Sequence, residues 1–168
     1  MGFFGGRFKA KGEPLKKQAQ TLVQAAKINA ISMFTPLLEK YPILEKADLK
    51  NWDFILTVAG VFVASSRLNI LMNGNDREEY LMDIVAKTMS EWDTAGIRGF
   101  EDCNSFFEDE CNRLEKDGHE IQFIASDALG IWIIWNIFGK PPESHNELKL
   151  ARTLGGMIMD DFSNWWQE

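Results

Sequence analysis

Phe54-Ile55-Leu56-Thr57-Val58-Ala59-Gly60-Val61-Phe62-Val63-Ala64 is an apolar run broken only by Thr57, and it passes directly into Ser65, Ser66, Arg67 and Asn69. A helix needs about 20 apolar residues to cross a bilayer. This run therefore reads as the middle of a core helix of a soluble protein. Asp48 is a suitable N-cap before it, and Asn73-Gly74-Asn75-Asp76 is a stop after it, which predicts a helix from about 48 to 72.

Upstream, Leu15, Ala19, Leu22, Val23, Ala26, Ala30 and Phe34 recur at steps of three and four, with Lys16, Lys17, Gln20, Gln24 and Lys27 off that stripe. This is an amphipathic helix starting at Pro14 and expected to stop near Thr35, because a proline disfavours helical geometry in the residue before it. Leu37 to Tyr41 adds at most one turn before Pro42.

Downstream, Tyr80, Leu81, Ile84, Val85, Thr88, Met89 and Trp92 predict a helix over 77–93. Phe100, Cys103, Phe107, Cys111 and Leu114 predict another over 99–116, ended by Asp117-Gly118. Residues 119–138 are apolar on almost every side, which implies burial, and Gly139, Pro141 and Pro142 close them. A last helix over 144–166 carries Leu148, Leu150, Leu154, Ile158, Phe162 and Trp165. No alternating strand-like run competes. The expected fold is all-α: a single-domain bundle of five or six helices over residues 14–168, after a flexible, basic, glycine-rich lead over 1–13.

Phe62-Val63-Ala64-Ser65-Ser66-Arg67-Leu68-Asn69-Ile70 and Phe123-Ile124-Ala125-Ser126-Asp127-Ala128-Leu129-Gly130-Ile131 share five identities in nine positions. Each lies on an apolar helix followed by a turn and an amphipathic helix. The echo suggests two related hairpins whose apolar helices pack together at the centre. The layout resembles the tellurite-resistance TerB-like helical domains, in which two apolar helices each end in an acidic Asp-Gly turn associated with metal. Here Ser65-Ser66-Arg67 and Ser126-Asp127-Ala128 stand where those turns belong. No family is assigned on that basis and no site residue is carried over.

The chain has 168 residues, 45% of them apolar, six Trp and two Cys, enough for one real core and too few cysteines for a disulfide framework. Without a stretch patterned as a signal peptide, a reducing, cytoplasmic setting is expected. The net charge of −7 is unevenly spread. Residues 1–27 carry six cations and one anion, while 76–120 carry 14 anions and five cations. Such a body repels a phosphate backbone, so nucleic acid is disfavoured, and only the basic N-terminus is left for weak membrane-surface contact.

Few residues point to chemistry. Cys103 and Cys111 are about 12 Å apart along one helix and read as core thiols rather than metal ligands or a disulfide. His119 and His145 sit at predicted helix starts, no metal-binding spacing is present, and no metal or cofactor is expected. Glu101, Asp102, Glu108, Asp109 and Glu110 lack the glycine and alternating oxygens of a calcium loop, and read as a solvated or docking face. Asp127, inside the most apolar helix, needs a partner, and Arg67 in the matching segment is the expected one.

Trp165 and Trp166, about 100° apart on a helix, are expected to leave an aromatic on the surface. The favoured function is a non-enzymatic interaction module that forms a homodimer or docks on another protein through Phe162, Trp165 and Trp166. The alternative is a small-molecule or lipid-binding bundle, or a hydrolase, with a pocket near Asp127, Trp132 and Trp135.

Overall fold

The computed structural model describes the backbone of residues 4–167 and the side chains of residues 14–167. The described residues form six α-helices and one 3-10 turn with no strand, so the expected all-α bundle is the fold. α1 spans Phe4–Lys40, α2 Leu49–Met72, α3 Asp76–Trp92, α4 Gly96–Lys116, α5 Ile121–Phe138 and α6 His145–Phe162, with the 3-10 turn at Pro42–Lys46.

α1 differs from expectation at both ends. Its backbone is already helical at Phe4, so the segment expected as a flexible lead continues into the helix; the side chains before Pro14, and any membrane contact they make, lie outside the described residues. Pro36 does not stop it either. An interior proline removes one backbone hydrogen bond, but Leu37 after it is buried, as Met33 is before it and Tyr41 is just beyond the helix, which holds the last turn in place. The helix ends only where the Tyr41 N–H closes on the Leu37 carbonyl at 2.7 Å and Pro42 follows.

α2 touches every other helix. Asp48 caps it by accepting from the Asn51 N–H at 2.9 Å, and Asn73 ends it in the left-handed conformation at φ 49°. Trp52, fully buried, donates its indole N–H to the Ala30 carbonyl at 2.8 Å and ties α2 to α1. α3 is joined to α2 by a tight turn but packs mainly on α1. α4 lays Phe100 and Phe107 against Phe62 and buries Cys103 completely.

α5 and α6 form the most extensive helix pair, and backbone meets backbone at its centre. A β-carbon added at Gly130 would sit 1.7 Å from the Ala151 carbonyl oxygen, and one at Gly155 would sit 1.8 Å from that of Ser126. These pairings run in opposite directions along the two helices, so the pair is antiparallel. Only residues without a side chain permit so close a crossing. Gly60 on α2 is different: the nearest atoms there are side-chain carbons of Phe162 and Ala26, at 3.0 and 3.1 Å.

By length and composition α2 and α5 would each suffice to cross a membrane; two thirds of the apolar stretch of α2 and half of that of α5 are buried by the other helices.

The chain end corrects a further expectation. The last helix stops at Phe162 rather than continuing to 166, so Trp165 and Trp166 are not held on helical positions. The Trp166 indole donates to the Ala64 carbonyl at 2.7 Å and is buried. The Trp165 indole reaches the Gln18 carbonyl on α1 at 3.2 Å, and Phe162 is buried against Gly60. The aromatic cluster expected to meet a partner is largely used up within its own chain.

Candidate functional site

Two helix-end motifs bring the two histidines of this sequence to one place. At the C-terminus of α4 the His119 N–H bonds the Leu114 carbonyl at 3.0 Å and the Gly118 N–H bonds the Glu115 carbonyl at 3.1 Å, a Schellman closure. Gly118 supplies the positive φ, 79°, that this closure requires. His119 is thereby held beside the end of α4, and both it and Leu114 line one pocket.

At the start of α6, Ser144 and Glu147 form a reciprocal capping box. The Glu147 carboxylate accepts from the N–H groups of Ser144 and Glu143 at 2.9 and 2.8 Å, and these bonds hold its pKa below the ordinary glutamate value. That box fixes His145 at the first helical position, with Lys149 and Arg152 on the same side of α6.

Between them lies a pocket of about 260 Å³ lined by Leu114, His119, Asp127, Ile131, His145, Leu148, Lys149, Ala151 and Arg152. Asp127 does not pair with Arg67, which is exposed on α2. It takes Arg152 in a two-pronged bond, Nε to Oδ1 and Nη2 to Oδ2, both 2.8 Å. The cause of the correction is the α5–α6 crossing: it places α6, not α2, beside this part of α5. The bond raises the Arg152 pKa further, and the guanidinium also stacks 4.1 Å from the Phe123 ring centre. Asp127 thus uses both oxygens to aim a cation.

Of the other expected site residues, Trp132 is buried and gives its indole N–H to Asp102 at 2.9 Å, so it braces α5 on α4 and does not line the pocket. Trp135 is exposed and meets Phe106 edge-on at 5.8 Å, also outside the pocket lining. Sequence reasoning set the histidines aside as solvated and missed Lys149 and Arg152. A signal was present: His145, Lys149 and Arg152 are spaced four and three residues apart, which is one helix face.

The first pocket offers imidazole, ammonium and guanidinium donors over an apolar floor, and its lining has no hydroxyl or thiol. Among the described residues, no three His, Cys, Asp or Glu side chains gather as a metal site. The thiols lie elsewhere and are poor nucleophiles. Burial and the neighbouring Asp102 push Cys103 well up, and burial with Glu110 pushes Cys111 up to about 11.

Comparison of the chain with protein-family models, with curated proteins and with solved structures finds no match.

Proposed function

We propose that this protein is a small-molecule-binding helical bundle whose pocket at the meeting of α4, α5 and α6 takes a compact organic anion. The observation that carries the reading is the convergence of His119, His145, Lys149 and Arg152 around Leu114, Ile131, Leu148 and Ala151 in a chain of net charge −7. On a body that otherwise repels anions, Lys149 beside the Asp127-paired Arg152, together with two imidazoles and an apolar floor, selects a ligand having one charged end and one oily end. A volume of about 260 Å³ is small for a ligand site, which restricts the apolar end to roughly one ring.

Benzoate is the probe. Titrated into the full chain, it should move the backbone amide resonances of His119, Lys149 and Arg152 saturably. Arg152→Gln, which removes the aimed cation, should weaken binding about tenfold, the loss expected for a charge-assisted hydrogen bond. Shifts that spread over the surface without saturating, or an unchanged affinity in Arg152→Gln, would defeat the proposal.

Self-association stands as a second reading, now resting on apolar residues other than the C-terminal aromatics. Ile121 is 86% exposed and Trp135 44%, both on α5. Sedimentation of the parent and of Ile121→Ser with Trp135→Ser decides it: a dimer in the parent that falls to one chain supports it, and a monomeric parent ends it.

A further inference from the structure

We infer that the ligand is a phosphomonoester with a small apolar body, bound across two joined basins; this rests on the anion-binding reading above and narrows it. Beside the first pocket lies a second, lined by Lys40, Tyr41, Pro42, Ile43, Asn146, Lys149, Arg152 and Thr153. Lys149 and Arg152 line both, so these two residues form the wall that the basins share. A ligand lying over that wall would put its apolar part on Leu114, Ile131 and Leu148 and its charged part between the wall and Lys40.

The charge balance separates a phosphate from a carboxylate. Asp127 is the one carboxylate among the residues lining either basin, and both its oxygens are engaged by Arg152. Lys40 and Lys149 therefore face the basins without a lining carboxylate to compensate them. One cation satisfies a carboxylate. A phosphomonoester, close to a dianion at neutral pH with three acceptor oxygens, needs at least two cations and further donors. The second basin adds the Asn146 amide; the Thr153 hydroxyl already donates to the Lys149 carbonyl at 2.9 Å and accepts from the Tyr41 hydroxyl at 3.1 Å, so this pair shapes the basin rather than donating to the ligand.

Lys40 is available only because α1 runs through Pro36 for another full turn. Its ammonium lies 5.6 Å from the centre of the Tyr41 ring, which keeps it on the side of the basin.

The test compares three probes on the full chain at pH 7.5 by calorimetry and amide shifts: benzoate, phenyl phosphate and inorganic phosphate. Phenyl phosphate should bind at least about tenfold more tightly than benzoate and move Thr153 as well as His119. Lys40→Gln should remove most of that advantage and leave benzoate unchanged, while Lys149→Gln, on the shared wall, should weaken both. Circular dichroism checks that these exposed-residue variants stay folded.

If benzoate binds and phenyl phosphate binds no better, the joined-basin inference falls and the single-pocket reading stands. If neither binds, the reading beneath it falls too. Inorganic phosphate binding as tightly as phenyl phosphate would also overturn the inference, because the apolar basin would then contribute nothing.

Discussion

The same nine-residue pattern occurs in α2 as Phe62–Ile70 and in α5 as Phe123–Ile131, and the two copies cross the protein surface in opposite directions. In α2 the stretch starts inside and comes out: Phe62, Val63, Ala64 and Ser65 are buried, and beyond them Arg67, Asn69 and Ile70 are exposed while Leu68 alone stays buried. In α5 it starts outside and goes in: Ala125 is exposed, and Ala128, Leu129, Gly130 and Ile131 are buried. A shared apolar pattern makes both helices, but the neighbours decide which end is covered. Trp166 closes over Ala64, whereas Ala125 stays open to solvent.

That contrast breaks most sharply at the glycines. Gly130→Ala forces a methyl group into the Ala151 carbonyl and must part α5 from α6; it should cost more than about 4 kcal/mol in urea unfolding, at the top of the range for single changes. Gly60→Ala on α2 meets the Phe162 ring at 3.0 Å and the Ala26 β-carbon at 3.1 Å, contacts that give by a few tenths of an ångström, and should cost about 1 to 3 kcal/mol. Equal costs would mean that the crossing relaxes easily.

Trp166→Phe should remove the bond to the Ala64 carbonyl and lower stability by about 1 to 2 kcal/mol, measured by the shift in the urea midpoint at unchanged slope. No loss would show that the end of α2 is covered without it. Asp127→Asn should cost about 1 kcal/mol or less, because Arg152 is half exposed and water takes over its solvation. Arg67→Ala should change nothing measurable. A loss of 3 kcal/mol or more at Asp127 would restore the picture of a deeply buried charge pair.

The smallest effect belongs to Ser65, whose hydroxyl is buried without a hydrogen-bond partner among the described residues. Ser65→Ala should leave stability within about 0.5 kcal/mol of the parent or raise it, since it removes an unsatisfied polar group. A clear loss would reveal a partner such as an ordered water.

Helix ends were legible in the sequence because their determinants are local. Asp48, Asn73 and the Asp117-Gly118 pair each act within a few residues of themselves. Pro36 misled because its cost is local while the burial of Leu37 and Tyr41 that outweighs it comes from other helices. The aromatic end misled through a helix boundary: the angular argument for Trp165 and Trp166 holds only if the helix reaches them. At the site, the need of Asp127 for a cation could be read from its apolar surroundings, although the residue is only half-buried. Its partner could not, because spacing along α5 says nothing about whether α2 or α6 lies alongside.

The Gly130–Ala151 approach also has a mechanical consequence. Packed helices ordinarily slide past one another by letting interlocked side chains change rotamer. Where two backbones touch, no such lubricating layer exists, and α5 and α6 are expected to move as a single stiff lever. Any motion that opens or shuts the pocket must then swing this lever as a whole against α2, or take place in the short segments carrying His119 and His145.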